Sequence, residues 1–152
     1  MVAEISRVPV DDRFPICIVD RIDAADVEIG VSFTPLDGRI DRAAGLIFRV
    51  KDANNYYVAR ANALESNVNL YHLVRGIRRQ FAGASATVLS GKTQRLGVRI
   101  EDDLIRVSLN GKPLFEARDR TIKGSGAVGV WTKADSLTAF NDFSVAILKT
   151  PP

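Results

Sequence analysis

The sequence predicts an all-β domain, an antiparallel two-sheet β-sandwich, and three observations carry that prediction. Short runs rich in β-branched and aromatic residues follow one another with almost no helical period. Turn chemistry separates them, as in Pro35-Leu36-Asp37-Gly38, Asp52-Ala53-Asn54-Asn55, Ser90-Gly91-Lys92 and Gly124-Ser125-Gly126. Asn110-Gly111 stands between two alternating segments, and this pair tolerates the positive φ angles that a two-residue hairpin turn requires.

In chain order, strands are expected at Phe14 to Val19, Asp26 to Phe33, Gly45 to Val50, Tyr56 to Ala61 and Asn67 to Val74. Further strands follow at Leu96 to Glu101, Leu104 to Leu109, Leu114 to Ala117, Ala127 to Thr132 and Thr138 to Leu148. In the clearest hairpin Ile105, Val107 and Leu109 share one face while Arg106 and Ser108 take the other. A tight turn at Asp102-Asp103 adds the preceding strand and makes a meander. Phe81 to Thr93 reads as a loop with at most a short strand at Thr87 to Leu89. Helix is limited to a turn near Arg118 to Ile122, and the tail from Lys149 to Pro152 is expected to fray. No repeat or linker divides the chain, so residues 1–152 form one domain with its core over about 14–148.

Composition excludes several classes. A hydrophobic fraction of 46% with 26% charged residues is ordinary for a globular protein and poor for disorder. No apolar run is long enough to span a bilayer. Met1 to Arg7 lacks the basic-then-apolar pattern of an export leader, so the protein stays inside the cell or travels out with a leader already removed. The net charge of +3 is mild, and acids interleave with the arginines, which argues against nucleic acid as a partner. Arg75-Gly76-Ile77-Arg78-Arg79 is the one local basic cluster, expected at a solvated hairpin tip.

Catalytic signatures are missing. The single Cys17 lies in the apolar run Phe14 to Val19 and is expected to be a buried structural thiol. His72, the lone histidine, has no clear partner, and no Gly-x-Ser-x-Gly elbow occurs. Retaining glycosidases need two carboxyl groups about 5–5.5 Å apart. Glu101-Asp102-Asp103 is consecutive, so its members diverge, and Asp26 with Glu28 suits an exposed strand face. Asp135 and Asp142 lack a calcium-loop spacing. No catalytic residue, metal or cofactor is therefore assigned.

What remains is a polar and aromatic face. Side chains two apart in a strand share a side. Leu46, Phe48 and Val50 point inward, which leaves Ile47 and Arg49 opposite; Tyr57, Ala59 and Ala61 likewise leave Tyr56, Val58, Arg60 and Asn62. Asn69 and Tyr71 follow on the next strand, and Trp131 and Lys133 alternate with Val130 and Thr132. Arg49, Tyr56, Arg60, Asn62, Asn69, Tyr71, Trp131 and Lys133 are thus the candidate ligand-binding set, a kit of rings, guanidinium groups and amides suited to a polyhydroxylated ligand.

Several segments also resemble a known family. Ala44-Gly45-Leu46-Ile47-Phe48-Arg49 precedes Asn55-Tyr56-Tyr57-Val58-Ala59-Arg60-Ala61-Asn62, and Asn67-Val68-Asn69-Leu70-Tyr71 and Asn110-Gly111-Lys112 follow. The series closes with Gly126 to Ser136 and Phe140-Asn141-Asp142-Phe143. In this order the pieces resemble the concanavalin A-like, or laminin G-like, jelly rolls. Within these they resemble the bacterial family 16 glycosidase-like or 3-keto-disaccharide hydrolase-like domains. Thr93 departs from that pattern, standing where a tryptophan commonly follows the Ser-Gly turn. The resemblance implies a concanavalin A-like jelly roll, a fold that carries lectins, glycanases and adhesion modules alike. The expected function is a non-catalytic carbohydrate-binding module that grips an oligosaccharide or polysaccharide on its concave sheet, with sugar rings stacked on Trp131 or Tyr71. A glycoside-cleaving enzyme and a protein-interaction module are the rivals.

Overall fold

Alternating side chains resolve into eleven strands and no helix among residues 14–148, which the computed structural model of the protein describes. The strands are β1 (Ile16–Ile18), β2 (Val27–Asp37), β3 (Ala43–Asp52), β4 (Asn55–Asn62), β5 (Asn67–Val74) and β6 (Ile77–Ser85). They continue as β7 (Gln94–Glu101), β8 (Leu104–Leu109), β9 (Lys112–Arg118), β10 (Ala127–Trp131) and β11 (Leu137–Ile147). Antiparallel pairing builds a six-stranded sheet, β1-β10-β3-β4-β5-β6, and a five-stranded sheet, β11-β2-β7-β8-β9. The expected termini, Met1 to Arg7 and Lys149 to Pro152, lie outside the described residues.

The inner faces meet in one apolar core. Phe33 of β2, Leu46 and Phe48 of β3, Tyr57 of β4, Leu70 of β5 and Ile100 of β7 are all fully buried there. Side chains of this size contribute about 1.5–3 kcal/mol each on burial. The five-stranded sheet has one wet face: in β7, Leu96, Val98 and Ile100 are buried while Arg95, Gly97 and Arg99 are partly exposed. The six-stranded sheet differs. Residues Ala43 to Val50 and Tyr56 to Asn62 are buried without alternation. A second cluster accounts for this, with Ile47, Tyr56, Val58, Leu73 and Trp131 on the outer side of the sheet and Phe14 and Ile16 packed against them.

Three local expectations are corrected. Phe81 to Ser85 belongs to β6, an edge strand that begins at Ile77 and pairs with β5 from Val74↔Ile77 to Asn67↔Ser85. Thr87 to Leu89, where at most a short strand was expected, is irregular. Its neighbour Leu89 is instead held by Gln94, whose side chain accepts from Leu89 N–H and donates to Leu89 C=O, each at 2.9 Å. The segment after Arg118 does not form a helical turn. Asp119 Oδ1 accepts from Tyr57 Oη at 2.6 Å and from Thr121 N–H at 2.8 Å, and Ile122 N–H donates to the same Tyr57 oxygen at 3.1 Å. These bonds fix an irregular, bent corner over the core. Cys17 is exposed rather than buried, because β1 is a three-residue edge strand whose middle residue faces solvent.

The β8–β9 hairpin turns through Asn110 (φ 53°) and Gly111 (φ 77°), the two positive angles its connection requires. Gly111→Val places a β-branched residue in the left-handed region. The variant should lose about 1 kcal/mol or more, seen as a melting midpoint lower by about 2–4 °C. An unchanged melting curve would contradict this role for Gly111.

Candidate functional site

The outer face of the six-stranded sheet is organised in transverse rows. Antiparallel register aligns Ile16, Trp131, Gly45, Arg60, Asn69 and Gly83 across all six strands. The next row carries Gly129, Ile47, Val58, Tyr71 and Gln80, and the row on the other side aligns Ala43, Asn62, Asn67 and Ser85. Two glycines let the flat side chains lie across the strands. A Cβ at Gly45 would stand 3.0 Å from Trp131 Cε3, and one at Gly83 would stand 2.1 Å from the Asn69 side-chain oxygen.

At one end this face is polar. Arg60, only 2% exposed, pairs with Glu65 Oε2 at 3.0 Å and donates through Nη2 to Asn67 Oδ1. Its guanidinium carbon lies 5.3 Å from the centre of the Tyr71 ring. Asn69 completes the set when its amide is oriented to suit its neighbours. Its oxygen then accepts from Tyr71 Oη and Arg60 Nη2, both at 3.1 Å, and its nitrogen donates to Val68 C=O at 3.1 Å. Arg60 Nε is buried and has no hydrogen-bond partner among the described residues. Solvent reaches this end over Glu65, Gln80, Gly83 and Ser85, which are exposed.

Asn62 and Lys133 join this network from behind. Asn62 Oδ1 accepts from the N–H groups of Leu64 (2.9 Å) and Glu65 (3.1 Å), which shapes the β4–β5 turn. Its Nδ2 donates to Asp41 Oδ1 at 3.0 Å, and Lys133 Nζ meets the other Asp41 oxygen at 3.2 Å. The loop before β3 is held in turn by Asp135, whose carboxylate accepts from Arg39 N–H at 2.8 Å and from Ile40 and Asp41 N–H at 3.1 Å. Arg60 therefore takes Glu65 as its carboxylate, and neither Asp135 nor Asp142 serves it.

At the other end the face is apolar and its rings are covered. Trp131 is 1% exposed: its indole Nε1–H donates to Tyr56 Oη at 3.1 Å, and Phe14 stacks on it with centroids 5.5 Å apart. Burial pushes the Tyr56 hydroxyl up to about 12, against the hydrogen bond from Trp131 and the charge of Arg78. Tyr71 carries Arg78 at 4.3 Å from its ring centre as well as Arg60. The expected open stacking platform on Trp131 or Tyr71 is thus corrected. Both rings lie on the expected side, but protein groups already occupy them.

Arg49 does not join the others. Register shifts in both β3 pairings mark a bulge there, and Arg49 adopts φ 48°. Its guanidinium turns to the end of the sandwich and donates to Ala25 C=O (2.9 Å), Ile122 C=O (3.0 Å) and Asp102 C=O (2.6 Å), with Asp26 Oδ1 at 3.3 Å. A cleft of about 620 Å³ opens there, lined by Asp26, Arg49, Asp102, Asp103, Asp119 and Arg120 among others. The Arg120 hydrogen bond, with help from Arg118, holds Asp103 below its usual carboxylate range. Glu65, Asn67 and Gln80 were not singled out from sequence. The short turn Ala63-Leu64-Glu65-Ser66 between two expected strands was the available signal for the first two, since a hairpin there brings Glu65 and Asn67 back toward Arg60.

No protein-family model matches the chain, and no curated protein matches it in sequence. Among solved structures it is similar to the carbohydrate binding module CBM66 from Bacillus subtilis, with a TM-score of 0.80 and 19% identity over 95% of this chain and 93% of that one. It is also similar to the Caenorhabditis elegans galectin LEC-6 (TM-score 0.63, 13% identity, 95% of each chain). A third is CG-16, a homodimeric agglutinin from chicken liver (TM-score 0.63, 10% identity, 88% of this chain and 100% of that one). At such identities the likeness establishes the fold, a jelly-roll sandwich of the concanavalin A-like type.

Acid should loosen the loop before β3 and the corner after β9. Burial acts to raise both Asp135 and Asp119. The backbone N–H groups of Arg39, Asp41 and Ile40 outweigh it at Asp135, and Tyr57 Oη and Thr121 N–H outweigh it at Asp119, so both are held below the usual range. Groups depressed in the folded state stabilise it above their unfolded pKa and lose that contribution as pH falls through the folded value. The melting midpoint should therefore fall below about pH 4. Asp135→Asn should melt lower than the parent at neutral pH and converge with it near about pH 3. Parallel curves across the range would contradict the role given to Asp135.

Proposed function

We propose that the protein is a non-catalytic carbohydrate-binding module that takes its ligand at the polar end of the outer face of the six-stranded sheet. One observation carries this reading: the exposed Glu65 and Gln80 and the half-buried Asn67 stand as a rim over Arg60, Asn69 and Tyr71, a polar set fixed by its own hydrogen bonds on one sheet face. Groups already held in place by such bonds can meet a ligand with little further ordering. Amides, a carboxylate and a guanidinium fixed on one rigid face match the donor and acceptor pattern of sugar hydroxyl groups. Glu65, Asn67 and Gln80 form the accessible rim, with Arg60, Asn69 and Tyr71 behind it. Asn62 and Lys133 position the turn through Asp41, and Tyr56 and Trp131 support the sheet beneath. The similar structures, a carbohydrate binding module and a galectin among them, are consistent with a sugar ligand. The narrower kinship with bacterial family 16 glycosidase-like and 3-keto-disaccharide hydrolase-like domains belongs to the same proposal and rests on the motifs from Ala44 to Asn62 and Gly126 to Phe143.

A glycan array followed by calorimetry tests this. Contacts of this kind give micromolar to millimolar affinity, since 1 mM corresponds to about 4 kcal/mol. Gln80→Ala should weaken the best oligosaccharide by about tenfold while melting close to the parent, whereas Glu65→Gln should weaken it and also melt lower, because it removes the carboxylate paired with buried Arg60. Binding unaffected by both variants, or no glycan bound, would sink the assignment. The protein should also leave aryl glycosides, glucans and 3-keto-glycosides intact. Turnover abolished by replacing a single Asp or Glu would favour the glycoside-cleaving rival.

A further inference from the structure

Resting on the sugar-binding reading, we infer that the module selects acidic glycans, with Arg78 at the β5–β6 hairpin receiving a carboxylate or sulfate group of the ligand. The basic cluster that stands out in the sequence turns through Arg75 (φ 53°) and Gly76 (φ 78°) and leads into the edge strand β6. Arg78 lies on the same outer face as Tyr71, which places it beside the proposed sugar site: the Tyr71 ring contacts Arg60 on one hand and Arg78 on the other.

The Arg78 guanidinium lies 4.3 Å from the Tyr71 ring centre and 5.4 Å from that of Phe14. Two rings hold its plane in place, and cation–π attraction offsets part of the desolvation of the charge. They offer no hydrogen-bond acceptor. Arg78 Nη1 is buried without a partner, and none of Arg75, Arg78 and Arg79 has an ion-pair partner among the described residues. Elsewhere in the fold Arg49, Arg60, Arg99, Arg106, Arg118 and Arg120 each have a carboxylate partner. The adjoining β3–β4 hairpin contributes a single acid, Asp52, and it is already engaged by Asn54 N–H (2.8 Å) and the Asn55 amide (2.9 Å).

Space for a ligand group exists at this position. A cleft of about 350 Å³ is lined by Phe14, Gly76, Ile77 and Arg78, and Ile77 is 59% exposed at its rim. A guanidinium fixed between rings is preorganised for the paired hydrogen bonds that a planar carboxylate or a sulfate accepts. The exposed Arg75 and Arg79 add positive potential around it. A sugar seated at Arg60 and Asn69 would direct the acidic group of its own or the neighbouring ring toward Arg78.

The test compares oligogalacturonates and heparin-derived oligosaccharides with neutral galacto-oligosaccharides of equal length, by calorimetry at low and high salt. Either acidic series should bind at least about tenfold tighter than the neutral one at low salt, and the preference should shrink as salt screens the charge. Arg78→Gln should abolish the preference while leaving neutral sugars bound as before, and Arg75→Gln, at the exposed tip, should reduce it in part. Preference for galacturonate alone assigns the group as carboxylate, and preference for heparin fragments alone assigns it as sulfate. Equal affinity for acidic and neutral sugars, or a preference that survives Arg78→Gln in a variant that melts normally, overturns the inference and leaves the sugar reading standing. No binding of any glycan overturns the sugar reading itself.

Discussion

Everything on the outer face of the six-stranded sheet depends on how the chain accommodates one buried charge, Arg60. Taking a guanidinium out of water costs several kcal/mol even after the surroundings relax, and an unpaired one would not persist there. The β4–β5 hairpin supplies the compensation from within eleven residues of sequence. Asn62 builds the turn by accepting from Leu64 and Glu65 N–H, and Ser66 N–H closes it on Asn62 C=O at 2.9 Å. That turn folds Glu65 back onto Arg60, while Asn67 and Asn69 approach it from the paired strand. Asn62 also ties the turn to Asp41 and, through it, to Lys133, so three loops share one polar framework.

The two faces of this sheet serve different ends. Its inner face joins the common core with Leu46, Phe48, Tyr57 and Leu70. The outer face repeats that apolar packing around Tyr56, Val58 and Trp131, then gives way to amides and guanidinium groups within the same transverse row. Gly45 is what allows the indole of Trp131 to lie flat over the neighbouring strand next to Arg60. Rigid apolar support directly beside a hydrogen-bonded polar set holds those side chains in place, which lowers the ordering cost for any ligand that meets them. The five-stranded sheet shows no counterpart. Its outer side carries exposed ion pairs such as Arg99 with Glu28 and Arg106 with Glu116, which contribute little at a solvated surface.

Much of this was legible from residue order. Period-two alternation placed Tyr56, Arg60, Asn62, Asn69, Tyr71 and Trp131 on one side, and Asn110-Gly111 marked its hairpin. The failures have physical causes. Arg49 was placed on that side by simple alternation, and a bulge with positive φ, which no local pattern announces, turned it to the end of the sandwich. Strand β6 was missed because Ile77 to Ser85 is polar and glycine-containing, and pairing with β5 alone makes it a strand. Cys17 was expected inside because its neighbours are apolar, whereas an edge strand exposes its middle residue. Alternation also assigns a side without saying what covers it. The stacking of Phe14 on Trp131 and of Arg78 on Tyr71 is tertiary and left no trace in either strand.

The most direct measurement is a nuclear magnetic resonance titration of isotope-labelled protein with a bound oligosaccharide, following side-chain signals. The account predicts that the Arg60 Nε–H and the amide groups of Asn67, Asn69 and Gln80 shift together and saturate with one affinity, while signals on the five-stranded sheet stay still. Shifts confined to the cleft of about 440 Å³ that Gly97, Ser108 and Phe115 help to line between β7, β8 and β9, with Arg60 unmoved, would contradict it.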